Sequence, residues 1–211
     1  MKEGGPEVCE LLAVMQEEMR LDGPIGDEAA DAMMLASDCY LRGGEAFSLK
    51  VQDVIIDNSC GEVVIYLAHT KTGAHQGVRI DFPQTERMLK ERVRGKRAEA
   101  KLFDITAADY RRRWTEVAMR LVSRYATEYP NFCIGPPHSV RHGAAARDAT
   151  SGYRSIWQIQ RRGRWASEKS VMRYAKTWAW TAAMAKTPPA LVERGEALLK
   201  ARGARKPEAK E

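Results

Sequence analysis

The stretch PHSVRHGAAARDATSGYRSIWQIQRRGRWASEKSVMRYAK, residues 137–176, carries most of the information about what this chain is. Short helical patterns alternate in it with glycine-containing turns, and it holds nine Lys or Arg residues against Asp148 and Glu168 alone. Residues 1–31 have the opposite balance, with nine acids against two basic residues. The positive charge is therefore concentrated in one segment, which indicates a partner rich in phosphate.

The composition of the whole chain narrows the class of protein. Of its 211 residues 44% are hydrophobic, which suffices for one large domain with a substantial core. At 29% charged residues, and without an apolar run near the ~18 residues of a membrane helix, a membrane-embedded protein is excluded. The N-terminal residues lack the layout of a signal peptide. We therefore expect an intracellular protein without membrane contact.

The cysteines indicate neither a metal site nor a disulfide framework. They are scattered along the chain and form no CxxC pair. We therefore predict that they are free thiols. The residues concerned are Cys9, Cys39, Cys60 and Cys133.

Helical periodicity covers most of the chain. Apolar residues recur at helical spacing in each of the predicted helices, and the segment LDGPIGD (21–27) is predicted to be a turn from its Gly and Pro content. The predicted helices span residues 6–20, 27–41, 84–101, 106–126, 138–150, 153–162, 168–180 and 189–202.

The segment that begins near residue 50 has a different pattern, typical of strands. Three short β-branched stretches, at 51–57, 62–68 and 77–82, are separated by DNSCG and TKTGAHQ. This predicts a three-stranded antiparallel sheet with two tight connections. The fold class is therefore mainly α (α+β): a helical domain with one small sheet inserted in its N-terminal part.

Four motifs carry residues suited to phosphoryl chemistry. LRGGEAFSL contains Arg42 and Glu45, and HTKTG places Lys71 in the connection between the second and third predicted strands. PHSVRHG and GRWASEKSVMRYAK follow in the basic segment. These last two motifs contribute His138, Arg141 and His142, and Trp165 nine residues before Tyr174.

In these motifs the chain resembles the catalytic domain of the tyrosine recombinases, also called the phage integrase family. That domain has an Arg in an LRxxE context, a Lys in a β-hairpin turn, an HxxR motif, a His or Trp, and then a nucleophilic Tyr. The resemblance extends over residues 6 to about 180. Each motif alone is weak, but their order and predicted context together are specific. The resemblance implies the family's α-rich fold and metal-independent DNA strand transfer through a 3′-phosphotyrosine, without a cofactor.

The resemblance also implies a role for each residue. Tyr174 would attack the phosphorus, while the forked guanidinium groups of Arg42 and Arg141 bind the non-bridging oxygens. Lys71 would protonate the departing 5′ oxygen. His138 would help to remove the tyrosine proton.

Three further residues belong to the same expected site in supporting roles. Trp165 stands where a His is more common, and its indole N–H can donate to a phosphate oxygen but cannot transfer a proton. Glu45 would orient Arg42 or the adjacent backbone. For His142 we favour a core histidine with a hydrogen-bonded ring over a catalytic one.

Double-stranded DNA is the expected partner. Basic residues of two predicted helices and the following turn are candidates for contacts with the DNA backbone, although charge runs of this kind are by default solvated helix faces. No metal ligand is expected. The backbone candidates are Arg111, Arg112, Arg161, Arg162 and Arg164.

The resemblance also suggests how the chain is organised. Residues 1–186 would be the catalytic domain, with 1–5 flexible, and the N-terminal DNA-clamp domain of the family would be absent or separately encoded. Residues 187–202 would form a C-terminal helix that docks either on a neighbouring subunit of a DNA-bound tetramer or on its own domain. Residues 203–211 would be a disordered tail. Such a protein would be DNA-associated, in a nucleus or in a bacterial cytoplasm or nucleoid.

Three alternatives stay open from the sequence. A type IB topoisomerase shares the chemistry, but the LRxxE context and the spacing from HxxR to Tyr favour a recombinase. A non-catalytic DNA-binding remnant of a mobile-element integrase is the second, although every catalytic position is filled. The third is a basic helical interaction domain, in which Tyr174, Trp165 and Lys71 are ordinary core or surface residues.

Overall fold

The protein, in a computed structural model that describes residues 8–70, 73–173 and 177–206, is mainly helical with one small antiparallel sheet. This is the predicted fold class, and it is confirmed. Residues 1–7, the first five of which were expected to be flexible, lie outside the described ranges. The helices are α1 (Cys9–Arg20), α2 (Gly23–Cys39), α3 (Gly43–Ser48), α4 (Pro83–Val93), α5 (Ala107–Tyr125), α6 (Ser139–Thr150), α7 (Ile156–Gly163), α8 (Glu168–Met172), α9 (Thr177–Lys186) and α10 (Pro189–Ala201).

The sheet is an antiparallel meander of β1 (Val54–Ile56), β2 (Val63–Thr70) and β3 (Gly73–Arg79). Ile65 of β2 pairs with Val78 of β3, and both side chains are buried, as the period of two in a half-buried strand requires. β3 begins earlier than predicted because Gly73 pairs with Thr70 and extends the ladder. The connection between β2 and β3 is thus two residues long.

Helix α2 begins four residues before its predicted start. The Gly and Pro content of 21–27 suggested a turn, but Pro24 occupies the first turn of the helix, where its missing N–H costs nothing. The turn is therefore confined to Leu21 and Asp22. α2 is buried over most of its surface, as its apolar composition predicted, and ends at Cys39 with Tyr40 as its C-cap.

Other predicted elements also differ from the structure. α4 ends at Val93 rather than near residue 101. The chain turns two residues after Val93, at Gly95, which has a φ of 72°. The short helix α3 was not predicted, because its glycines hide a helical pattern. The single helix predicted over 168–180 is two helices, α8 and α9, with residues 174–176 between them outside the described ranges.

The C-terminal helix α10 packs against α1 of the same chain. Leu191 is buried, and the Arg194 guanidinium donates to Glu17 at 2.7 Å and to Glu18 at 3.0 Å. Within this single chain, α10 therefore packs on its own domain.

Residues 203–206 continue this packing. Arg205 donates to the buried carboxylate of Asp148, and the Lys206 backbone N–H donates to the Asp81 carbonyl at 2.9 Å. The prediction of a disordered tail is therefore wrong for these four residues, because their charged groups find buried partners. Residues 207–211 lie outside the described ranges.

Two predictions from composition can be compared with the structure. The four cysteines are free thiols, as expected. Within the described ranges, no helix has both the length and the apolar composition needed to cross a membrane.

Gly195→Ala tests the packing of α10 on α1. A Cβ at this position would lie 2.2 Å from the Glu10 carbonyl oxygen, so the helices would have to separate. We expect a loss of roughly 1–3 kcal/mol in the free energy of unfolding, measured in urea. In an unhindered helix the same change would gain about 0.5–1 kcal/mol. Glu196→Ala, on the exposed side of α10, is the control. A stabilised Gly195→Ala variant would contradict the packing.

Candidate active site

Four of the predicted catalytic side chains line one cavity of about 350 Å³. It lies where three parts of the chain meet: the junction of α2 and α3, the start of α6, and the residues that follow α7. The lining residues are Leu41, Arg42, Gly43, His138, Arg141, His142 and Trp165.

Glu45 fixes Arg42 at the start of α3. One carboxylate oxygen accepts the Arg42 backbone N–H at 2.8 Å, and the other accepts its guanidinium at 2.8 Å. Glu45 thus contacts both the side chain and the backbone of Arg42, as it would if it orients that arginine. About a third (31%) of the Arg42 side chain stays exposed, so its guanidinium remains accessible to a ligand.

Arg141 is held by backbone carbonyls from two other parts of the chain. It lies in the first turn of α6, is only 5% exposed, and donates to the Tyr40 carbonyl at 3.0 Å and to the Gly163 carbonyl. Its Cζ lies 4.4 Å from the ring centre of Trp165. The positive end of the α6 dipole adds to the attraction of this corner for anions.

Trp165 reaches Arg141 because α7 ends in a tight reversal. Arg164 adopts a left-handed conformation with a φ of 55°, and the Trp165 ring folds back over Gly163. A Cβ on Gly163 would lie 1.8 Å from that ring, so only glycine fits there. The cation–π contact with Arg141 depends on this close approach.

Arg164, which follows α7, connects that segment to the junction of α2 and α3. Its guanidinium donates to Glu45 Oε2 at 2.6 Å and to the Tyr40 carbonyl at 3.2 Å. Burial alone would raise the pKa of the Glu45 carboxyl, but the Arg164 charge and the hydrogen bonds from Arg42 outweigh it and lower that pKa. Glu45 is therefore ionised at neutral pH.

The two histidines stand edge to face at the start of α6, with ring centres 5.3 Å apart. His138 is exposed, whereas His142 is half-buried and also lines the cavity. Burial, together with the charges of His138 and Arg141, lowers the pKa of His142 to about 3. His142 is thus neutral at physiological pH and adds no charge to the site.

Two of the expected DNA-backbone contacts are corrected. Arg162 donates to the Asp38 carbonyl at 2.8 Å and to the Arg79 carbonyl at 2.9 Å, and its side chain is 9% exposed. Arg164 is buried against Glu45. Both guanidinium groups are directed into the protein by acidic and carbonyl partners that the sequence did not reveal.

Lys71 and Tyr174 lie outside the described residues. The flanking elements give their setting in the chain: Lys71 belongs to the two-residue connection between β2 and β3. Tyr174 follows α8, whose buried Val171 belongs to the same apolar cluster as Tyr40, with Trp165 packed against it.

A buried ionic network beneath the cavity was not predicted. Asp148 accepts hydrogen bonds from the Tyr40 hydroxyl and from Arg154. Arg154 also pairs with Asp81, which in turn contacts Arg162 at 3.1 Å. The only signal in the sequence was the set of charged residues within apolar helices, since a buried charge needs a partner. Among the described residues, no group of three His, Cys, Asp or Glu side chains is placed to hold a metal ion.

The neutral state of His142 has a consequence for stability. Since its pKa is about 3 in the folded protein and about 6.5 in the unfolded chain, the unfolded chain binds more protons between these values. The free energy of unfolding therefore falls as the pH decreases through this window, by up to about 1.4 kcal/mol per pH unit from this group. His142→Gln should show a flatter pH dependence than the wild type between pH 6.5 and 4 in urea denaturation. An unchanged slope in His142→Gln would contradict the assignment.

Comparison with known proteins agrees with the fold. The chain is similar to the XerH site-specific recombinase bound to difH substrate in a pre-cleavage complex, with a TM-score of 0.60 and 15% identity over 88% of this chain and 54% of that one. It is also similar to the Tn1549 transposon integrase in complex with a circular intermediate DNA, with a TM-score of 0.53 and 16% identity over 82% of this chain and 63% of that one. At these identities the likeness shows the fold alone.

The family follows from the sequence match. The chain spans about half the length of the XerH chain, and no curated protein matches it. The model of the phage integrase family, however, matches residues 6–179, which is most of the chain. The protein therefore belongs to the phage integrase family, the tyrosine recombinases.

Proposed function

We propose that this chain is the catalytic domain of a site-specific DNA recombinase or integrase, which cuts and rejoins strands through a 3′-phosphotyrosine. The observation that carries the proposal is the cavity of about 350 Å³ in which Arg42, His138, Arg141 and Trp165 meet. These residues come from three separate segments of the chain. Family membership and the DNA-bound states of XerH and the Tn1549 integrase support the same conclusion.

The two arginines form the phosphate clamp. Arg42 and Arg141 present planar, forked guanidinium groups to one small cavity, and this geometry suits two phosphate oxygens. Charge develops on the non-bridging oxygens as the phosphorus becomes five-coordinate, and donors fixed in advance are most effective there. Glu45 and the Tyr40 carbonyl supply that fixation. Trp165 completes the wall over Arg141 and donates its N–H to an oxygen.

The covalent step is assigned to Tyr174, His138 and Lys71. The Tyr174 oxygen attacks the phosphorus, a bond forms between them, and the bond to the 5′ oxygen breaks. His138 takes the phenol proton, and Lys71 gives a proton to the departing 5′ oxygen. The phosphodiester energy is conserved in the phosphotyrosine, so the reverse attack by a 5′ hydroxyl rejoins the strand without ATP. No step requires a metal or a cofactor.

DNA backbone contacts are proposed for the exposed cations that remain. Arg111 and Arg112 lie exposed on α5, and Arg161 lies exposed at the end of α7, stacked 4.6 Å from the Trp157 ring centre. Because phosphate contacts release counterions, binding should weaken steeply with added salt. Such a protein would be intracellular and associated with DNA.

Assembly follows from the same proposal. A recombinase of this kind would act as a tetramer on double-stranded DNA, with a separate N-terminal domain closing around the other face of the duplex. In this chain α10 packs on α1. For α10 to dock on a neighbouring subunit it would first have to leave α1, and we propose that DNA binding triggers this rearrangement.

Tyr174→Phe tests the proposal. Nicked suicide duplexes of random sequence, which trap a cleaved strand, are incubated with the chain without added metal, and adducts are separated on a denaturing gel. We expect a protein–DNA adduct with the wild type and none with Tyr174→Phe, because only the hydroxyl is removed.

Tyr125→Phe is the matched control, since Tyr125 is half-buried on α5, outside the cavity. It should form the adduct at the wild-type rate, and DNA binding by Tyr174→Phe should be nearly unchanged. An adduct with Tyr174→Phe at the wild-type level would contradict the mechanism. Binding without any adduct would favour a non-catalytic remnant.

A further inference from the structure

Helix α2 ends with a residue in an unfavourable backbone conformation. Tyr40 has φ 50° and ψ 42°, the left-handed region that glycine usually occupies at a helix end. A bulky residue persists there only where its surroundings hold it, and such residues cluster at functional sites. Tyr40 is fully buried. Contacts of the Tyr40 side chain must therefore hold the residue in this conformation.

These contacts are with the buried ionic network around Asp148. The Tyr40 hydroxyl donates to Asp148 Oδ2, and this carboxylate also accepts from Arg154 and Arg205. Burial raises the pKa of Tyr40 well above its usual value, so the hydroxyl stays protonated and remains a donor. The Tyr40 ring also lies 6.1 Å from the Trp165 ring, centre to centre. The side chain is thus fixed at both its ring and its hydroxyl.

The backbone of the same residue holds the phosphate clamp. The Tyr40 carbonyl accepts from the Arg141 guanidinium at 3.0 Å and from the Arg164 guanidinium at 3.2 Å. Arg42 follows two residues later in the chain. Any rotation of the Tyr40 peptide would therefore move both clamp arginines together.

We propose that Tyr40 is a positioning residue for DNA cleavage: its side chain, anchored on Asp148, fixes the carbonyl that directs Arg141 toward the scissile phosphate. This inference rests on the proposed function. It adds to it a residue that touches no DNA and acts through Arg141. A displacement of about 1 Å in a group that positions the reacting atoms can cost about 100-fold in rate.

Tyr40→Phe removes the anchor and keeps the ring. The substrate is a nicked duplex selected from the random pool because the wild type forms an adduct with it. The 211-residue chain reacts with this duplex in single turnover over a range of DNA concentrations. We expect the maximal cleavage rate to fall roughly 10- to 100-fold, while the half-saturating DNA concentration changes less than about 2-fold. Loss in the rate alone indicates misplacement in the transition state rather than lost binding.

Tyr110→Phe is the matched control, because Tyr110 is also buried but belongs to α5 and does not line the cavity. Its maximal rate should equal the wild-type rate, at a temperature where urea denaturation shows both variants to be folded.

Tyr40→Gly is the second variant, since glycine adopts the left-handed conformation without strain. It also lacks the anchor and should be slow. Either Tyr40 variant cleaving at the wild-type rate overturns the proposal.

A double-mutant cycle with Arg141→Lys separates positioning from general destabilisation. If Tyr40 acts through Arg141, then Tyr40→Phe should slow the Arg141→Lys enzyme by less than about 3-fold, because the two losses overlap. If the rate loss of the double variant equals the product of the two single losses, Tyr40 does not act through Arg141 and the proposal is overturned. A wild type that forms no adduct overturns the proposed function and this inference with it. A wild-type adduct with an unaffected Tyr40→Phe rate overturns the inference alone.

Discussion

The Glu45 carboxylate lies among three guanidinium groups beside one small cavity. Arg42 and Arg164 hydrogen-bond to it at 2.8 and 2.6 Å, and Arg141 lies 3.9 Å away. Removing a buried partner of this kind costs about 3–5 kcal/mol, because the remaining charges lose their compensation. One carboxylate among three cations still leaves an excess of positive charge. A phosphodiester, whose own negative charge grows in the transition state, is the ligand that such an excess suits best.

The layer beneath the cavity explains how these like charges stay in place. The guanidinium groups of Arg141 and Arg164 both donate to the Tyr40 carbonyl, and the Tyr40 hydroxyl donates to Asp148. Asp148 is itself compensated by Arg154 and Arg205. Because every member relies on a neighbour, the site and the C-terminal residues belong to one buried network. The site's geometry therefore depends on residues far from any substrate.

Much of the fold could be predicted, for physical reasons that particular elements make clear. The apolar periodicity of α5 and the β-branched alternation of β2 record burial directly in the sequence. Boundaries that depend on single residues were harder to predict. Pro24 lies in the first turn of α2, although the glycines around it suggest a turn. Gly95 turns the chain just after α4, which therefore ends earlier than predicted. The glycines at the start of α3 conceal its six residues.

The candidate site was predictable only in part. The resemblance supplied Arg42, His138, Arg141 and Trp165, and the structure brings them to one cavity. Charge alone suggested a surface role for Arg162 and Arg164, which are buried because Asp38 and Glu45 lie within reach. Tyr40 gave no signal, because a left-handed conformation and a partner more than 100 residues away are both invisible in sequence.

The central claim, a covalent 3′-phosphotyrosine at one named residue, is tested most directly by peptide mapping of the trapped adduct. The adduct is digested with nuclease and protease, and tandem mass spectrometry locates the residual nucleotide. The account predicts a single modified peptide, with the nucleotide joined through its 3′ phosphate to Tyr174. A nucleotide on another residue, or one joined through its 5′ phosphate, would contradict it.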